Sequence, residues 1–446
     1  MVIDPTTQHL CKGAQMLISL PVSARLGLFL GHYGKRRDAE SHRRSVGAAD
    51  RGGMSFKQTI KLPWLRLYLA LSRGWSRRTR PPPEPGEVRK VLLFQFGGIG
   101  DSLRTIPLIF LLRETFPGAE LVTLTNQPSG LFELAPEGFP ACRHLIFDFG
   151  QDLLMKWRRI RELRRERFDL IVLPIVGDGF VEIAMLARLI GARYRAGFDL
   201  DGGGLSFTHS IPFRRNESIL TQYSRLLTAI GAVSTAKNIP LRRRPNATAA
   251  VAARLEAVGL AALPVVVVHP WVGHHEGFRA WPPALFRELI ERLIVELGVA
   301  VVTVGSPDEQ VMANEHFKGL APPRYCDLTG ALTLVETAAL LDHSRCLVCN
   351  DSCLIMIADG LGVPSVAIFG STAPEQVLAA ASLCRAVRTD ENLPCQPCYV
   401  HQTLFQYRCS HDFKCLKTIA VEQVLRSVRA ALAGATPRHA WPATSL

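Results

Sequence analysis

Nowhere in the 446-residue sequence do eighteen apolar residues stand in an unbroken row, which excludes a chain threaded through a bilayer by apolar helices. The opening Met1-Val2-Ile3-Asp4-Pro5 lacks a charged stretch followed by an apolar one, so no secretory leader is expected and the chain is placed in the cytoplasm. A disulfide framework is not expected there: the eleven cysteines, an odd number, read as mostly reduced thiols. What the sequence does have is apolar content. With 48% hydrophobic residues it is neither disordered throughout nor fibrous, and it is long enough for two or three domains, each with its own core.

The formal charge of +13 is unevenly placed. Residues 1–90 hold 17 Lys and Arg against 6 Asp and Glu, and all the others hold 35 against 33. The basic excess therefore belongs to the N-terminal segment. The bulk of the chain has no basic stripe and no RNA- or DNA-binding signature, so nucleic acid is not an expected partner.

The run Arg77-Arg78-Thr79-Arg80-Pro81-Pro82-Pro83-Glu84-Pro85-Gly86-Glu87 is charged and proline-rich, which predicts an extended linker closing a basic, partly disordered extension over residues 1–87. Residues 1–53 show no periodicity, and Met54 offers an alternative start. Pro63 can begin a helix over 63–78, with Trp64, Leu67, Tyr68, Leu71 and Trp75 on one face and Arg66, Arg73 and Arg77 opposite. Such a face suits an anionic membrane surface, and equally a dock on the protein's own core.

From Lys90 the pattern changes to short apolar strands alternating with amphipathic helices, which predicts parallel α/β layers. The clearest strands are 91–96, 121–125, 169–173, 265–269, 299–304, 346–349 and 365–369. The polar stretch Arg242-Arg243-Arg244-Pro245-Asn246 divides them, giving two Rossmann-like domains over 88–240 and 245–430 that face a cleft. No sequence repeat relates the two.

The first strand runs into Gly97-Gly98-Ile99-Gly100-Asp101-Ser102 and then a helical apolar spacing. Glycines allow a tight turn and close backbone approach, and the helix start offers free N–H groups to an anion. A dinucleotide loop would need a third glycine where Leu103 stands, and the strand ending at Thr125-Asn126-Gln127 lacks the carboxylate that holds an adenosine ribose. An NAD-dependent oxidoreductase is thus the weaker rival. Asp101 has two readings, helix cap and cleft-facing base. Ser102 offers the cap, which frees Asp101 for chemistry.

In the second series Asn350-Asp351-Ser352-Cys353 opens a helix at the carboxyl end of a strand, a place where diphosphates bind in doubly wound sheets. The turn Ser371-Thr372 follows the next strand and converges on the same edge. Arg279, just before Trp281-Pro282, is placed to contact a phosphate, although an arginine there is also an ordinary solvated one.

Together these segments resemble the lipopolysaccharide heptosyltransferases of glycosyltransferase family 9, over roughly residues 90–430. The carriers are Lys90-Val91-Leu92-Leu93, Gly98-Ile99-Gly100-Asp101 with Pro107, His269-Pro270, Arg279-Ala280-Trp281-Pro282, Gly305-Ser306-Pro307-Asp308-Glu309, Asp327-Leu328-Thr329-Gly330, Asn350-Asp351-Ser352 and Phe369-Gly370-Ser371-Thr372-Ala373-Pro374. The resemblance implies a GT-B arrangement and inverting transfer of a sugar, a heptose from an ADP-linked donor, onto a lipopolysaccharide or other glycan acceptor. It implies Asp101 as base on an acceptor-side loop of Gly97, Gly98 and Gly100, and a donor site of Arg279, Glu309, Asp351, Ser352, Cys353, Ser371 and Thr372. Glu309 would accept hydrogen bonds from the nucleotide ribose. The family commonly has glycine where Cys353 stands and histidine where Met356 stands, so a binding homologue with altered donor or lost transfer is the alternative.

No cofactor and no active-site metal are expected, and peripheral attachment to the inner membrane would suit a lipid-linked acceptor. Asp199-Leu200-Asp201 has the spacing of a metal-binding pair but is read as a solvated glycine-rich turn. His274 and His275, beside Glu276, read as a polar loop. Cys395, Cys398, Cys409 and Cys415 are spaced as either reduced structural thiols or a zinc site.

Overall fold

A computed structural model describes residues 80–434, apart from 127–132, 177–179, 201, 215–216, 238–239, 274–276, 321–322 and 399–408. The expected helix over 63–78 lies outside the described residues, as do Asp201, His274, His275 and Glu276.

The apolar runs form two six-stranded sheets, parallel throughout. The first contains β1 (Lys90–Gln95), β2 (Glu120–Thr125), β3 (Cys142–Ile146), β4 (Leu170–Leu173), β5 (Tyr194–Asp199) and β6 (His209–Pro212), in the order β3-β2-β1-β4-β5-β6. The second contains β7 (Val265–His269), β8 (Ala300–Thr303), β9 (Tyr325–Asp327), β10 (Cys346–Asn350), β11 (Ser365–Ile368) and β12 (Cys384–Val387), in the order β12-β11-β10-β7-β8-β9. Counted from its own first strand, each sheet has the same doubly wound order. The repeat that the sequence hides is therefore one of topology. Each sheet has a switch point, between β1 and β4 and between β7 and β10, where crevices open beyond the carboxyl ends of the strands.

Helices α1 (Ile99–Arg104), α2 (Ile106–Thr115), α3 (Leu153–Arg165), α4 (Phe180–Ile190) and α5 (Ile219–Thr228) belong to the first half. The second half has α6 (Pro245–Ala257), α7 (Pro283–Leu297), α8 (Gln310–His316), α9 (Leu334–His343), α10 (Leu354–Leu361), α11 (Pro374–Val377), α12 (Lys414–Lys417) and α13 (Val421–Ala433). The central strands are buried on both faces, as parallel strands between helices must be, and so carry continuous valine and leucine runs. At the amino ends of β1, β2 and β3, Lys90 and Arg143 share the carboxylates of Glu120 and Glu166, and Arg143 first, then Lys90, holds the Glu166 carboxyl at about 2. This network ties the strand ends away from the cleft, leaving the carboxyl ends for ligands.

The halves meet through apolar side chains. Leu103, Ile106 and Leu134 of the first half share a core with Leu354, Ile357 and Ala358 of the second. The connecting segment is fastened to both: the Leu241 N–H donates to the Gly360 carbonyl at 2.8 Å, and the Arg242 N–H to the Leu134 carbonyl at 3.0 Å. Asp199 differs from expectation. It ends strand β5 and is half-buried against Gly204, not in a solvated turn, and it does not line the cleft.

Candidate active site

Strand β1 delivers Phe96 and then Gly97, whose φ of +129° suits glycine and whose position leaves no room for a side chain, because a Cβ would strike the Asp101 carboxylate. The Gly98 N–H donates to Asp101 Oδ2 at 3.1 Å. Asp101 thus fastens its own turn, and Ser102, buried and making no side-chain cap, does not relieve it of that task as the sequence suggested. The other carboxylate oxygen lies 3.6 Å from the Arg104 guanidinium, and the Asp101 side chain remains 47% exposed to the cleft. One carboxylate oxygen is thus held by the turn and the other faces a cation.

On the second half, buried Asn350 ends strand β10 and ties two loops to it. Its Oδ1 accepts from the Trp281 N–H at 2.9 Å, and its Nδ2 donates to the Pro270 carbonyl at 2.7 Å. Trp281 is itself buried, its indole N–H donating to the Ile419 carbonyl at 3.1 Å. The segment before helix α7 is thereby fixed, and the Arg279 guanidinium reaches the Asp351 carboxylate at 3.2 Å. Arg279 is accordingly no solvated surface residue, and Asp351, 4% exposed, is its buried counter-ion rather than a helix cap. Ser352 supplies the cap, its Oγ accepting from the Leu354 N–H at 3.3 Å.

Glu309 accepts from the Ser306 N–H at 2.6 Å and is mostly buried. Its Oε2 lies 4.0 Å from His269 Nε2, but burial pushes the His269 imidazole down to about 4, so the ring is neutral near pH 7 and this is no ion pair. Burial likewise pushes the Cys353 thiol up to about 11, which keeps it uncharged.

These elements enclose one cleft of about 770 Å³ between the two switch points. It is lined by Gly97, Gly98, Gly100 and Asp101 from one half and by Arg279, Glu309, Asp351, Ser352 and Cys353 from the other. Two candidates are not part of this lining. Ser371 is fully buried and donates to the Phe278 carbonyl at 3.1 Å, so it braces the loop carrying Arg279 instead of facing the cleft. Thr372 lines a smaller pocket of about 70 Å³ together with Asp101, Arg104, Arg279 and Asp351, and so stays beside the ion pair. Arg104, Asn350 and His269 were not singled out as site residues by sequence. For Arg104 a signal existed, its spacing of three from Asp101 on one helix face.

Cys353 and Met356 also line the cleft, directly across from the Asp101 loop: a Cβ on Gly100 would stand 2.9 Å from Met356 Cε and 3.3 Å from Cys353 Cβ. Cys395, Cys409 and Cys415 form no disulfide, and no three His, Cys, Asp or Glu side chains among the described residues are grouped to hold a metal ion. The site as built offers a carboxylate on one wall, and on the other a guanidinium beside the turn Asp351-Ser352-Cys353.

Residues 156–408 match the profile of glycosyltransferase family 9 (heptosyltransferase). The chain is 27% identical over 283 residues to lipopolysaccharide heptosyltransferase 3 of Escherichia coli, covering 61% of this chain and 81% of the relative. It is 26% identical over 330 residues to lipopolysaccharide heptosyltransferase 1 of Pseudomonas aeruginosa, covering 71% and 88%. Among solved structures, a family 9 glycosyl transferase from Veillonella parvula superposes with a TM-score of 0.62 at 17% identity, over 79% of this chain and 99% of that one. The Escherichia coli ADP-heptose lps heptosyltransferase II superposes with a TM-score of 0.55 at 20% identity, over 77% and 98%. The fold, two facing doubly wound sheets, is the GT-B arrangement, and the chain belongs to glycosyltransferase family 9.

Proposed function

We propose that the protein transfers a heptose from ADP-heptose to a hydroxyl of a lipopolysaccharide or related glycan acceptor, with inversion at the anomeric carbon. The observation that carries this reading is a cleft with Asp101 on one wall and Arg279 with the turn Asp351-Ser352-Cys353 on the other. The names of the relatives, lipopolysaccharide heptosyltransferases and an ADP-heptose enzyme, support the donor and acceptor classes.

In this scheme residues 88–240 form the acceptor side and 245–430 the donor side. The Asp101 carboxylate takes the proton of the acceptor hydroxyl as the hydroxyl oxygen attacks the anomeric carbon. The sugar bond to the diphosphate breaks on the opposite face, and Arg279, beside the turn Asp351-Ser352-Cys353, meets the departing negative charge. Charge on the leaving group is thus met by protein groups, without a cation being assigned a step. Glu309 receives the ribose hydroxyls. A lipid-linked acceptor would suit an enzyme working at the cytoplasmic face of the inner membrane.

A second reading, a family member with altered donor or lost transfer, rests on Cys353 and Met356, which narrow the cleft opposite Gly100. One experiment separates the two. Asp101→Asn is expected to lower transfer by about 10²–10⁴-fold, the range for a positioned base, while ADP-heptose binding measured by thermal shift persists. A parent protein that binds the donor but transfers nothing to any glycan acceptor would establish the second reading.

A further inference from the structure

Helix α3 connects the edge strand β3 to β4 and starts beside the mouth of the cleft. Phe149, three residues before the Asp152 that caps it, lines the cleft and packs edge-on against Phe96 at 5.0 Å. The helix buries Lys156, Ile160 and Leu163 against the first half. Its outward stripe, at spacings of four, three and four, is Leu154, Arg158, Arg161 and Arg165, all exposed.

Two features of this face are unusual for solvent. Leu154 is 59% exposed, the adjoining Met155 41%, and Ile146 at the end of β3, whose carbonyl accepts from Arg159, 44%. Among the described residues Arg158, Arg161 and Arg165 have no carboxylate partner, and Arg161 lies over the Trp157 ring at 5.4 Å. Residues 153–167 hold seven Lys and Arg against two Glu, so the patch is cationic as well as apolar.

We propose that this face docks on an anionic lipid surface, with Leu154, Met155 and Ile146 entering the headgroup boundary and Arg158, Arg161 and Arg165 lying at the phosphates. A membrane is anionic in front and apolar behind, which matches arginines interleaved with exposed aliphatic side chains. An acidic protein or a nucleic acid would satisfy the arginines and leave the aliphatic groups without a partner. Docking here turns the Phe149 side of the cleft toward the bilayer, so that an acceptor held by its lipid reaches Asp101 without leaving the membrane. That consequence rests on the proposed function; the binding does not.

The test is co-sedimentation of the full chain with phosphatidylcholine vesicles, with and without phosphatidylglycerol. The parent is expected to bind only the anionic vesicles, and less as salt rises. Arg158→Glu with Arg161→Glu and Arg165→Glu should lower the partition coefficient more than about tenfold, since each basic residue near such a surface contributes about fivefold. Leu154→Asp with Met155→Asp should lower it too. An unchanged thermal midpoint and unchanged ADP binding in both variants show that fold and donor site are intact, whatever becomes of the heptosyl assignment. Parent-like sedimentation of both variants would mean that the basic extension carries any membrane binding, and would overturn the proposal; so would a parent that ignores anionic vesicles.

Discussion

Replacing Arg279 by methionine removes the counter-ion of a carboxylate that is only 4% exposed. Stranding a buried charge costs about 3–5 kcal/mol, far above the worth of a surface pair, so Arg279→Met should unfold at a clearly lower temperature than the parent. Adding Asp351→Asn leaves no charge to strand, and most of the lost stability should return. The rate should not follow. If Arg279 meets the departing diphosphate, its removal takes away charge stabilisation made in the transition state, where one such donor is worth about 10²–10³ in rate, and an amide at 351 supplies none of it. The assays are thermal unfolding and initial rates of sugar transfer, with ADP binding measured alongside. Stability and rate recovering together in the double variant would refute the catalytic role and leave Arg279 a strut. A single variant as stable as the parent would refute the buried pair itself.

Because burial holds His269 near 4 against 6.5 for the free side chain, the unfolded chain takes up this proton first as pH falls. Stability from this group is complete above about pH 6.5 and is lost toward pH 4, by about 3 kcal/mol; His269→Gln should flatten that slope, and equal slopes would count against it. Asn350→Ala orphans the Trp281 N–H and the Pro270 carbonyl, at about 1–3 kcal/mol each, and should lower both the thermal midpoint and donor affinity through the displaced Arg279 segment. Gly97→Ala forces a side chain against the Asp101 carboxylate and should depress the transfer rate more than ADP binding, checked by kinetics and titration. Cys353→Gly with Met356→His restores the usual family residues and should tighten the Michaelis constant for ADP-heptose; no change would show that this wall does not select the donor.

Much of the fold was legible because its central strands are buried on both faces. Seven strands read as apolar runs occur in the structure within two residues of their expected ends. The five not read are β3, β5, β6, β9 and β12. Four of these lie at or beside a sheet edge with partly exposed residues, and β5 carries Arg195 and Asp199, so no unbroken apolar run marks them. The Asp101 loop was legible as strand, glycines and helix, but the partner of the capping N–H was not. That choice depends on Gly97 at φ +129°, which swings the Gly98 N–H toward Asp101. Nor could spacing reveal that Arg279 and Asp351, 72 residues apart, are one ion pair, or that Ser371 turns inward to Phe278.

The contact between Gly100 and the Cys353–Met356 wall joins two questions that the sequence kept separate, how the halves meet and which donor is taken. Gly100 lies in the helix that carries Asp101, and Met356 in the helix that follows the turn Asp351-Ser352-Cys353. A side chain change at 353 or 356 therefore alters this wall of the cleft and, in the same movement, the distance at which Asp101 faces it. Met356 is flexible and yields to a neighbour at little cost, whereas Cys353 Cβ is fixed to the backbone of the turn. Of the two departures from the family pattern, Cys353 is then the one that sets the approach of the two walls, and Met356 the one that can adapt to what lies between them.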